Sequence, residues 1–468
     1  MRGSVRISKY YMSVLGDEMQ SPEIKNTIPA TLQDPAARRF WSALLATGAV
    51  AGLGAGLLTR LLELSQRLLW GGSGTDILAA AQKVSASRCI LNLVAAGLVT
   101  GIGQIVLKRL SSGNGIDTTA AIWFYAGRLP MLRTLGSAVL SVVVVGMGAS
   151  LGREGAPKQV GAVFANWFSD LARLSDEQRR LLVSCGAGAG MSAAYGVPLG
   201  GALFSLEVMR GVLGLRYILP AMFCSIIATA VAWTMLPDAP TYLIPTYTSS
   251  VVLLPAVLCG LVGGLFSVVY VRSMTWAERN KPANWRRIVV PIVGLALLGL
   301  GAVWFPQLLG NGKDVSQLLF FGAVPALLAV TLLVLKPAAI LLCVRCGVPG
   351  GLFTPSLTSG ALLGTVIGYL WTWIWPGVPL GLFGLLGAGA VLAATTQGPI
   401  STVVLLMEMT GRDRSFILPL LLASATATLL ARSIEARSIY DARLSDEQIK
   451  TRQELRQTTR IEPDRATA

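Results

Sequence analysis

Histidine is absent from this sequence, and charged residues make up only 13% of its 468 positions. Soluble domains carry about a quarter charged residues, so this little charge would leave a soluble chain of this length without a water-facing surface. Hydrophobic residues make up 53% of the sequence and recur in long runs. The composition therefore predicts an α-helical protein embedded in a lipid bilayer. The lack of histidine also restricts proton transfer near neutral pH to carboxylates, Tyr, Lys and water.

Acidic residues are scarce, with 24 Asp and Glu against 39 Lys and Arg and a net charge of +15. The basic residues stand between apolar runs, as in Val271–Arg287, which holds five Lys and Arg residues and one acid. This is how cytoplasmic loops of membrane proteins are composed. A nucleic-acid-binding protein would concentrate its charge on one soluble face instead, so no nucleic-acid partner is predicted.

Cysteine is present at six positions, nearly all of them within apolar segments. Cys343 and Cys346 have CxxC spacing, but the chain has no second pair and no histidine to complete a metal site. The pattern favours buried thiols in helices over a redox or metal role. No metal and no cofactor are predicted.

The chain divides into a membrane domain between two charged ends. Residues 1–40 mix acids and bases without an apolar core, which predicts a cytoplasmic tail and not a signal peptide. The first span is predicted to begin near Trp41, and the transmembrane domain to cover residues 41–432. Residues 433–468 are predicted to form a second cytoplasmic tail, with room for a short helix but not for a regulatory module.

Apolar segments of two kinds follow one another, about fourteen in all. Several are long, such as Trp41–Leu58 and Val251–Val271. Others are short and interrupted by Gly or Pro, such as Gly136–Leu151 and Pro198–Met209. An unbroken span needs about 20 residues, so the short segments must tilt or stop partway across. Backbone that stops partway is tolerated only where it lines a cavity or is buried in protein, so we expect function there.

The two halves of the sequence contain matching blocks. Gly186–Pro198 aligns without gaps on Gly387–Pro399, and the same offset places Glu207 on Glu408. Small residues alone would be weak support, because they are common wherever membrane helices pack closely. The proline and the glutamate at fixed spacing indicate a true structural repeat.

A second pair of blocks supports the repeat. Gly152–Ala156 falls on Gly351–Pro355 at nearly the same offset. We therefore predict repeat halves at about residues 41–236 and 250–432. Transporters built this way bind their substrate at the repeat interface near the middle of the membrane. The alignment alone leaves parallel and inverted repeats equally open.

Three glycine-rich breaks precede or interrupt apolar helices: Gly113–Asp117, Gly152–Gly155 and Gly350–Pro355. The start of a helix exposes unpaired N–H groups and the positive end of the helix dipole, which together bind anions. Partial charges suit conduction, because a Lys or Arg in the path would hold the anion too tightly to release it. The breaks predict a path for an inorganic anion.

Glu154 is a carboxylate between glycines in an apolar stretch. Such a charge costs several kcal/mol unless it is paired, protonated or functional. Neutralisation by the adjacent Arg153 is the structural alternative. The functional interpretation is that the carboxylate occupies the place of an anion at the helix starts. It could then be displaced by the anion or removed by protonation, so we predict that Glu154 gates the path.

Two further positions allow more than one interpretation. Glu207 and its counterpart Glu408 lie near the ends of apolar segments, where structural pairing and proton relay are both open. Tyr440 follows the last apolar segment, and by itself it would be an interfacial anchor.

Taken together, these motifs resemble the CLC family of chloride channels and chloride/proton antiporters, most closely its bacterial ClcB-like branch. The resemblance covers roughly residues 41–445. It rests on Gly152–Gly155, Gly350–Pro355, the two Gly/Ala–Pro–Glu blocks and the terminal tyrosine, which follow the family's order. It implies an all-α polytopic membrane protein of two inverted repeats with many tilted and broken helices. It also implies a homodimer with one pore in each subunit.

The resemblance implies a role for several residues. Glu154 matches the family's gating glutamate, the amides of Leu352 and Phe353 match central anion ligands, and Tyr440 matches a tyrosine whose hydroxyl touches the anion. The segment with Asn114 matches the one that brings a further ligand. The residues expected to bind the anion are thus Asn114, Gly115, Arg153, Gly155, Leu352, Phe353 and Tyr440.

Two departures from the family pattern bear on mechanism. Asn114 stands where the family has a serine ligand; its amide can still donate to an anion, and asparagine here is also typical of fluoride-exporting relatives. Val208 stands where the antiporters have an internal proton-relay glutamate, and valine cannot carry a proton. Either Glu207 or water replaces that relay, or coupling is weak.

We therefore predict channel-like conduction of chloride across a bacterial inner membrane, gated by Glu154. The alternative with the same fold is a proton-coupled antiporter of chloride or fluoride. An intramembrane enzyme would need paired carboxylates, a Ser/His set or metal ligands, which the sequence does not offer, so no enzymatic activity is predicted. A cation-coupled solute transporter would need more polar groups along its broken helices.

Overall fold

The computed structural model describes residues 35–72, 76–109, 117–245, 252–411 and 416–461. Within these ranges the chain forms eighteen α-helices and no strand. In chain order the helices are α1 (Pro35–Trp70), α2 (Ile77–Ala81), α3 (Ala86–Arg109), α4 (Thr118–Phe124), α5 (Met131–Gly146), α6 (Gly155–Leu171), α7 (Asp176–Tyr195), α8 (Pro198–Phe204), α9 (Leu215–Ala232), α10 (Leu253–Arg279), α11 (Arg286–Trp304), α12 (Lys313–Phe320), α13 (Ala326–Arg345), α14 (Phe353–Thr372), α15 (Leu380–Thr396), α16 (Pro399–Thr410), α17 (Ile417–Ile434) and α18 (Asp446–Ile461).

Seven of these helices are long and apolar enough to cross a membrane: α1, α3, α9, α10, α11, α13 and α17. Others are apolar but too short, as predicted for the interrupted segments. The 17 residues of α15 and the 12 of α16 reach about 25 Å and 18 Å, less than the roughly 30 Å of hydrocarbon. The prediction of an all-α polytopic fold with broken helices is confirmed.

Matching glycine pairs bring the helices of each half into close contact. A Cβ atom on Gly161 of α6 would overlap the carbonyl oxygen of Gly186 in α7. In the second half, a Cβ atom on Gly360 of α14 would likewise overlap the carbonyl oxygen of Gly387 in α15. Small residues allow membrane helices to approach at backbone distance, where dispersion forces hold them together. The paired sequence blocks therefore form equivalent helix contacts.

The helix breaks are equivalent as well. α7 is followed by Gly196 with φ of 69°, and α15 by Gln397 with φ of 57°. One further residue, with φ of −124° or −126°, then precedes the proline that begins the next helix, α8 or α16. A left-handed φ is uncommon for glutamine. The carbonyl oxygen of Gln397 accepts a hydrogen bond from Arg432 at 2.5 Å, which holds this turn.

A two-fold relation between the halves is visible where they meet. Gly152 and Gly351 form an isolated antiparallel bridge, with N–H to oxygen distances of 2.8 and 2.7 Å. These residues occupy equivalent positions in the aligned blocks. Because equivalent residues exchange both hydrogen bonds with antiparallel chain directions, a local two-fold axis passes between them. This local two-fold relation agrees with an inverted repeat, one of the two arrangements that the alignment left open.

A buried lysine fixes the turn that follows α11. Lys336 of α13 is 1% exposed, and its ammonium donates to the carbonyl oxygens of Leu308, Leu309 and Gly310 at 3.0, 3.2 and 3.0 Å. All three ammonium protons are used. The N–H of Gly310 donates in turn to Gly148, just before the Glu154 segment, at 3.2 Å. Lys336 therefore stabilises one wall of the segment that carries Glu154.

We expect Lys336→Met to lower the free energy of unfolding by about 2–4 kcal/mol, because buried carbonyl oxygens lose their donor. Thermal unfolding of the detergent-solubilised protein measures the loss. Lys108→Met is the matched control, since Lys108 is exposed at the end of α3. Equal melting curves for the two variants would contradict a structural role of Lys336.

Candidate functional site

The Glu154 side chain lies at the N-terminus of α14. It is only 4% exposed, and its Oε1 atom accepts the N–H of Phe353 at 2.7 Å and that of Thr354 at 3.3 Å. Oε2 accepts the hydroxyl of Thr354 at 3.2 Å and that of Tyr195 at 3.3 Å. Unpaired N–H groups and hydroxyls at a helix start are the donors that an inorganic anion uses. The carboxylate thus accepts hydrogen bonds from donors of the kind that bind an anion.

Tyr195 completes this group of donors, a role that was not predicted from the sequence. Its hydroxyl lies 2.7 Å from that of Thr354, and the ring is buried. The guanidinium carbon of Arg153 lies 5.4 Å from the ring centroid. No ion pair joins Arg153 to Glu154 within the described residues, so Arg153 acts on this position through Tyr195 and through its longer-range field.

A small cavity adjoins the carboxylate on the side of the C-terminal segment. This tail-side cavity has a volume of about 80 Å³, and its lining includes Glu154, Gly155, Leu352 and Tyr440. The predicted gate and three of the predicted anion-binding residues therefore line one cavity. The ring of Tyr440 packs edge-on against that of Phe204, with centroids 5.6 Å apart.

A second cavity lies beyond Tyr195. This opposite cavity has a volume of about 290 Å³ and is lined by Arg153, Tyr195, Lys313 and Asp314, among others. Burial, together with nearby Asp76, raises the pKa of Asp314 to about 6. Glu154 lines the tail-side cavity and its partner Tyr195 lines the opposite one. The contact between these two side chains therefore separates the cavities.

The tail-side cavity leads into a wider vestibule of about 450 Å³, with which it shares Gln159, Glu278 and Arg443. Among the described residues, the vestibule is lined by one acid, Glu278, and by six bases: Lys108, Arg133, Arg279, Lys281, Arg287 and Arg443. Such an excess of positive charge concentrates anions at the mouth of a cavity.

Half-exposed Arg443 marks the boundary between vestibule and cavity. Its guanidinium pairs with Glu278 at 2.8 Å and with Asp117 at 3.9 Å. The Glu278 carboxylate raises the pKa of Arg443 above its usual value, so this side chain stays charged. Arg443 lies in the predicted cytoplasmic tail, and it contacts the membrane domain through residues of α10 and the start of α4.

Lys158 brings a formal positive charge into the tail-side cavity. It lies one turn after Glu154 on α6, is 7% exposed, and its ammonium is 4.4 Å from the centroid of the Tyr440 ring. A formal positive charge therefore lies beside the partial charges that the sequence favoured. The signal was present in the sequence, because residues four apart share one face of a helix.

Two of the predicted anion ligands, Asn114 and Gly115, lie outside the described residues. Asp117, just after them, caps α4 by accepting the N–H of Thr119 at 2.9 Å, and it lines the tail-side cavity.

Glu207 caps the start of α16, and Glu408 caps the start of α8. Glu207 accepts the N–H of Ser401, at the start of α16, at 2.6 Å. Glu408 accepts the N–H of Gly200, at the start of α8, also at 2.6 Å. The two contacts are equivalent under the repeat. Glu207 lines neither cavity beside Glu154, and the adjacent Val208 is buried. The geometry favours the structural interpretation of both glutamates over proton relay.

Gly351 leaves the space that the Glu154 carboxylate occupies. A Cβ atom at this position would overlap the carboxylate, so Gly351→Ala should drive the side chain out. Overpacking costs about 1–3 kcal/mol, which would lower the occupancy of the α14 N-terminus by the carboxylate about fivefold to hundredfold. We expect faster anion flux and fewer protons moved per anion, measured together in liposomes.

Gly301→Ala serves as the matched control, because a Cβ atom there meets Leu308 at an ordinary 3.4 Å. An unchanged ratio of protons to anions in Gly351→Ala would show that this carboxylate position plays no part in the transport cycle.

Comparison with known proteins identifies relatives along most of the chain. The family model described as "Voltage gated chloride channel" matches residues 96–432. The H(+)/Cl(-) exchange transporter ClcA of Yersinia pestis is 32% identical over 321 residues, and that of Klebsiella pneumoniae 31% over 309. These matches cover 64% and 63% of this chain and 65% of each relative, just under two thirds of their length.

Solved structures show the same fold. A slow cyanobacterial Cl-/H+ antiporter superposes with a TM-score of 0.76 at 18% identity, covering 88% of this chain and 99% of the other. A CLC-type fluoride/proton antiporter gives 0.69 at 21% identity, covering 86% and 97%. Because the curated relatives are ClcA proteins, the predicted ClcB-like branch is not confirmed. Bacterial relatives and seven apolar helices identify a multi-pass protein of the inner membrane.

Proposed function

We propose that this chain, which belongs to the CLC family of voltage-gated chloride channels, exchanges chloride for protons across the bacterial inner membrane. Channel-like conduction, which the sequence favoured, is not supported by the relatives, since those reported above are named exchange transporters or antiporters. Fluoride is the alternative substrate, because one structural neighbour is a fluoride/proton antiporter.

The observation that carries the proposal is the 2.7 Å hydrogen bond from the Phe353 amide to the Glu154 carboxylate. An anion that uses the same amide must displace the carboxylate. A protonated Glu154 has lost its charge and competes poorly for these donors. Anion entry and proton uptake are thus linked at one position, which is what exchange requires.

The anion route follows from the order of the cavities. Chloride is concentrated in the basic vestibule, enters the tail-side cavity between Leu352 and Tyr440, and reaches the amides at the start of α14. Movement of the Glu154 side chain then breaks its contact with Tyr195, and the anion passes into the opposite cavity. Arg153 and Lys313 supply positive charge there. The amides at the start of α14 offer partial charges, which permit release as well as binding.

The proton shares only part of this route. Val208 cannot carry a proton, and Glu207 is held at the start of α16. The proton therefore travels between Glu154 and the vestibule along the polar lining of the tail-side cavity. Asp117 and Glu278 are the carboxylates in that lining besides Glu154 itself.

We also propose that the chain acts as a transporter and not as an enzyme, and that it assembles as a homodimer in the bilayer. Residues 1–40 and 433–468 form cytoplasmic tails around a transmembrane domain at 41–432, with halves at about 41–236 and 250–432.

Flux measurements on the full chain in liposomes test the proposal. Under an outward chloride gradient, we expect chloride efflux that drives protons inward against their own gradient. Chloride efflux without proton movement would restore the channel interpretation. A lack of both chloride and fluoride efflux, in liposomes shown to contain folded protein, would refute the proposed function.

A further inference from the structure

Lys158 is a buried cation that the gate mechanism does not use. Its backbone belongs to α6, the helix that begins directly after Glu154, and its side chain reaches the tail-side cavity. The ring of Tyr440 lies under the ammonium, and Phe204 packs against that ring. A cation over a ring face is attracted by the ring quadrupole, which orients the ammonium without neutralising it.

The carboxylates that line the same cavity are already engaged. Asp117 and Glu278 both pair with Arg443. Glu154 accepts the amides of α14 at one oxygen and the hydroxyls of Thr354 and Tyr195 at the other. Within the part of the chain that the structure describes, no ion pair joins Lys158 to an acid. A buried charge without a close counter-ion is costly, and an anion entering the cavity would lower that cost.

We infer that the Lys158 ammonium is a direct ligand of the transported anion in the tail-side cavity. The inference rests on the proposed function. The ligand class is a single small inorganic anion such as chloride, because the cavity holds only about 80 Å³. The ammonium donates from the α6 side, while Leu352 and Tyr440 face the same space from the second half of the chain.

This ligand changes how the path holds its anion. Partial charges of backbone amides bind loosely, whereas a desolvated ammonium binds more tightly and releases more slowly. It also places a fixed positive charge next to the gate, so that Glu154 and the anion compete for one favourable region. The chain therefore binds its anion tightly and releases it slowly, which suits an exchanger better than a channel.

Chloride binding to the purified full chain provides the test. We expect Lys158→Met to weaken chloride affinity about tenfold to hundredfold, the range for loss of a hydrogen bond to a charged group. Lys158→Arg keeps the charge and should bind chloride nearly as well as the unaltered chain. Isothermal titration at constant pH measures the affinity, and flux in liposomes shows whether transport slows or quickens.

Lys83→Met is the charge control, because Lys83 is exposed after α2 and lines neither the vestibule nor the tail-side cavity. An equal loss of affinity in Lys83→Met, or unchanged affinity in a folded Lys158→Met, would overturn the inference. So would unchanged affinity combined with lost proton coupling, which would make Lys158 a proton carrier. Lys158→Gln replaces the methionine variant if that protein does not fold. Failure of chloride flux in the unaltered chain would instead refute the proposed function.

Discussion

Glu154→Gln should abolish proton movement while anion flux continues. Glutamine has nearly the size of glutamate but cannot take up a proton at this position, and it carries no charge that competes with an anion for the Phe353 amide. The proton flux should therefore fall to the level of protein-free liposomes. Chloride flux should remain of the same order as in the unaltered chain. Simultaneous recording of chloride efflux and external pH measures both.

Glu63→Gln is the matched control for this substitution. Glu63 lines the opposite cavity and pairs with Arg60 at 3.0 Å, so it is an acid near the path but away from the α14 amides. It should leave the ratio of protons to anions unchanged. If Glu154→Gln stopped anion flux as well, Glu154 would be part of the anion site itself and its assignment as a gate would be wrong.

The fold was predictable because its causes are local in the sequence. Helix length and apolarity decide which segments span the bilayer, and they placed the long helices and the short ones correctly. The close contacts of α6 with α7 and of α14 with α15 need glycine at the crossing points, so the repeat left a readable trace. The relative direction of the two halves was not readable, because it depends on how the chain runs once the halves have folded together, as at the Gly152–Gly351 bridge.

The site was only partly predictable, because several of its members come from distant elements. Glu154 and the start of α14 carry glycine-rich motifs that mark them. Tyr195 and Arg443 carry no such mark, and they meet Glu154 or its cavity only after the two halves and the C-terminal segment have packed together. The position of Lys158, one helical turn after Glu154, is predictable from helix geometry alone. The sequence interpretation nevertheless favoured partial charges in the path over a lysine.

Glu207 shows how one residue can satisfy two sequence patterns at once. An acid beside the position of a family relay suggests proton transfer, and an acid near a helix end suggests capping. The structure adds what the sequence lacked, namely that Glu207 reaches the start of α16 while Glu408 reaches the start of α8. A carboxylate that accepts two backbone N–H groups at a helix start stabilises the helix through charge and dipole together.

Glu207→Gln should consequently lower stability and leave proton coupling intact. An amide oxygen still accepts one N–H of α16, but it carries no charge, so we expect a loss of about 1–2 kcal/mol in the free energy of unfolding. Glu408→Gln should cost a similar amount at α8, since the two contacts are equivalent under the repeat. Thermal unfolding in detergent gives the first quantity, and the ratio of proton to chloride flux in liposomes gives the second.

Glu447→Gln separates this capping effect from a general loss of negative charge. Glu447 lies exposed in the first turn of α18, where water screens its interaction with the helix dipole, so its removal should change stability little. Lost coupling with an unchanged melting temperature in Glu207→Gln would assign Glu207 to the proton path. Lower melting temperatures in both capping variants, with coupling retained, would leave the lining of the tail-side cavity as the proton route past Val208.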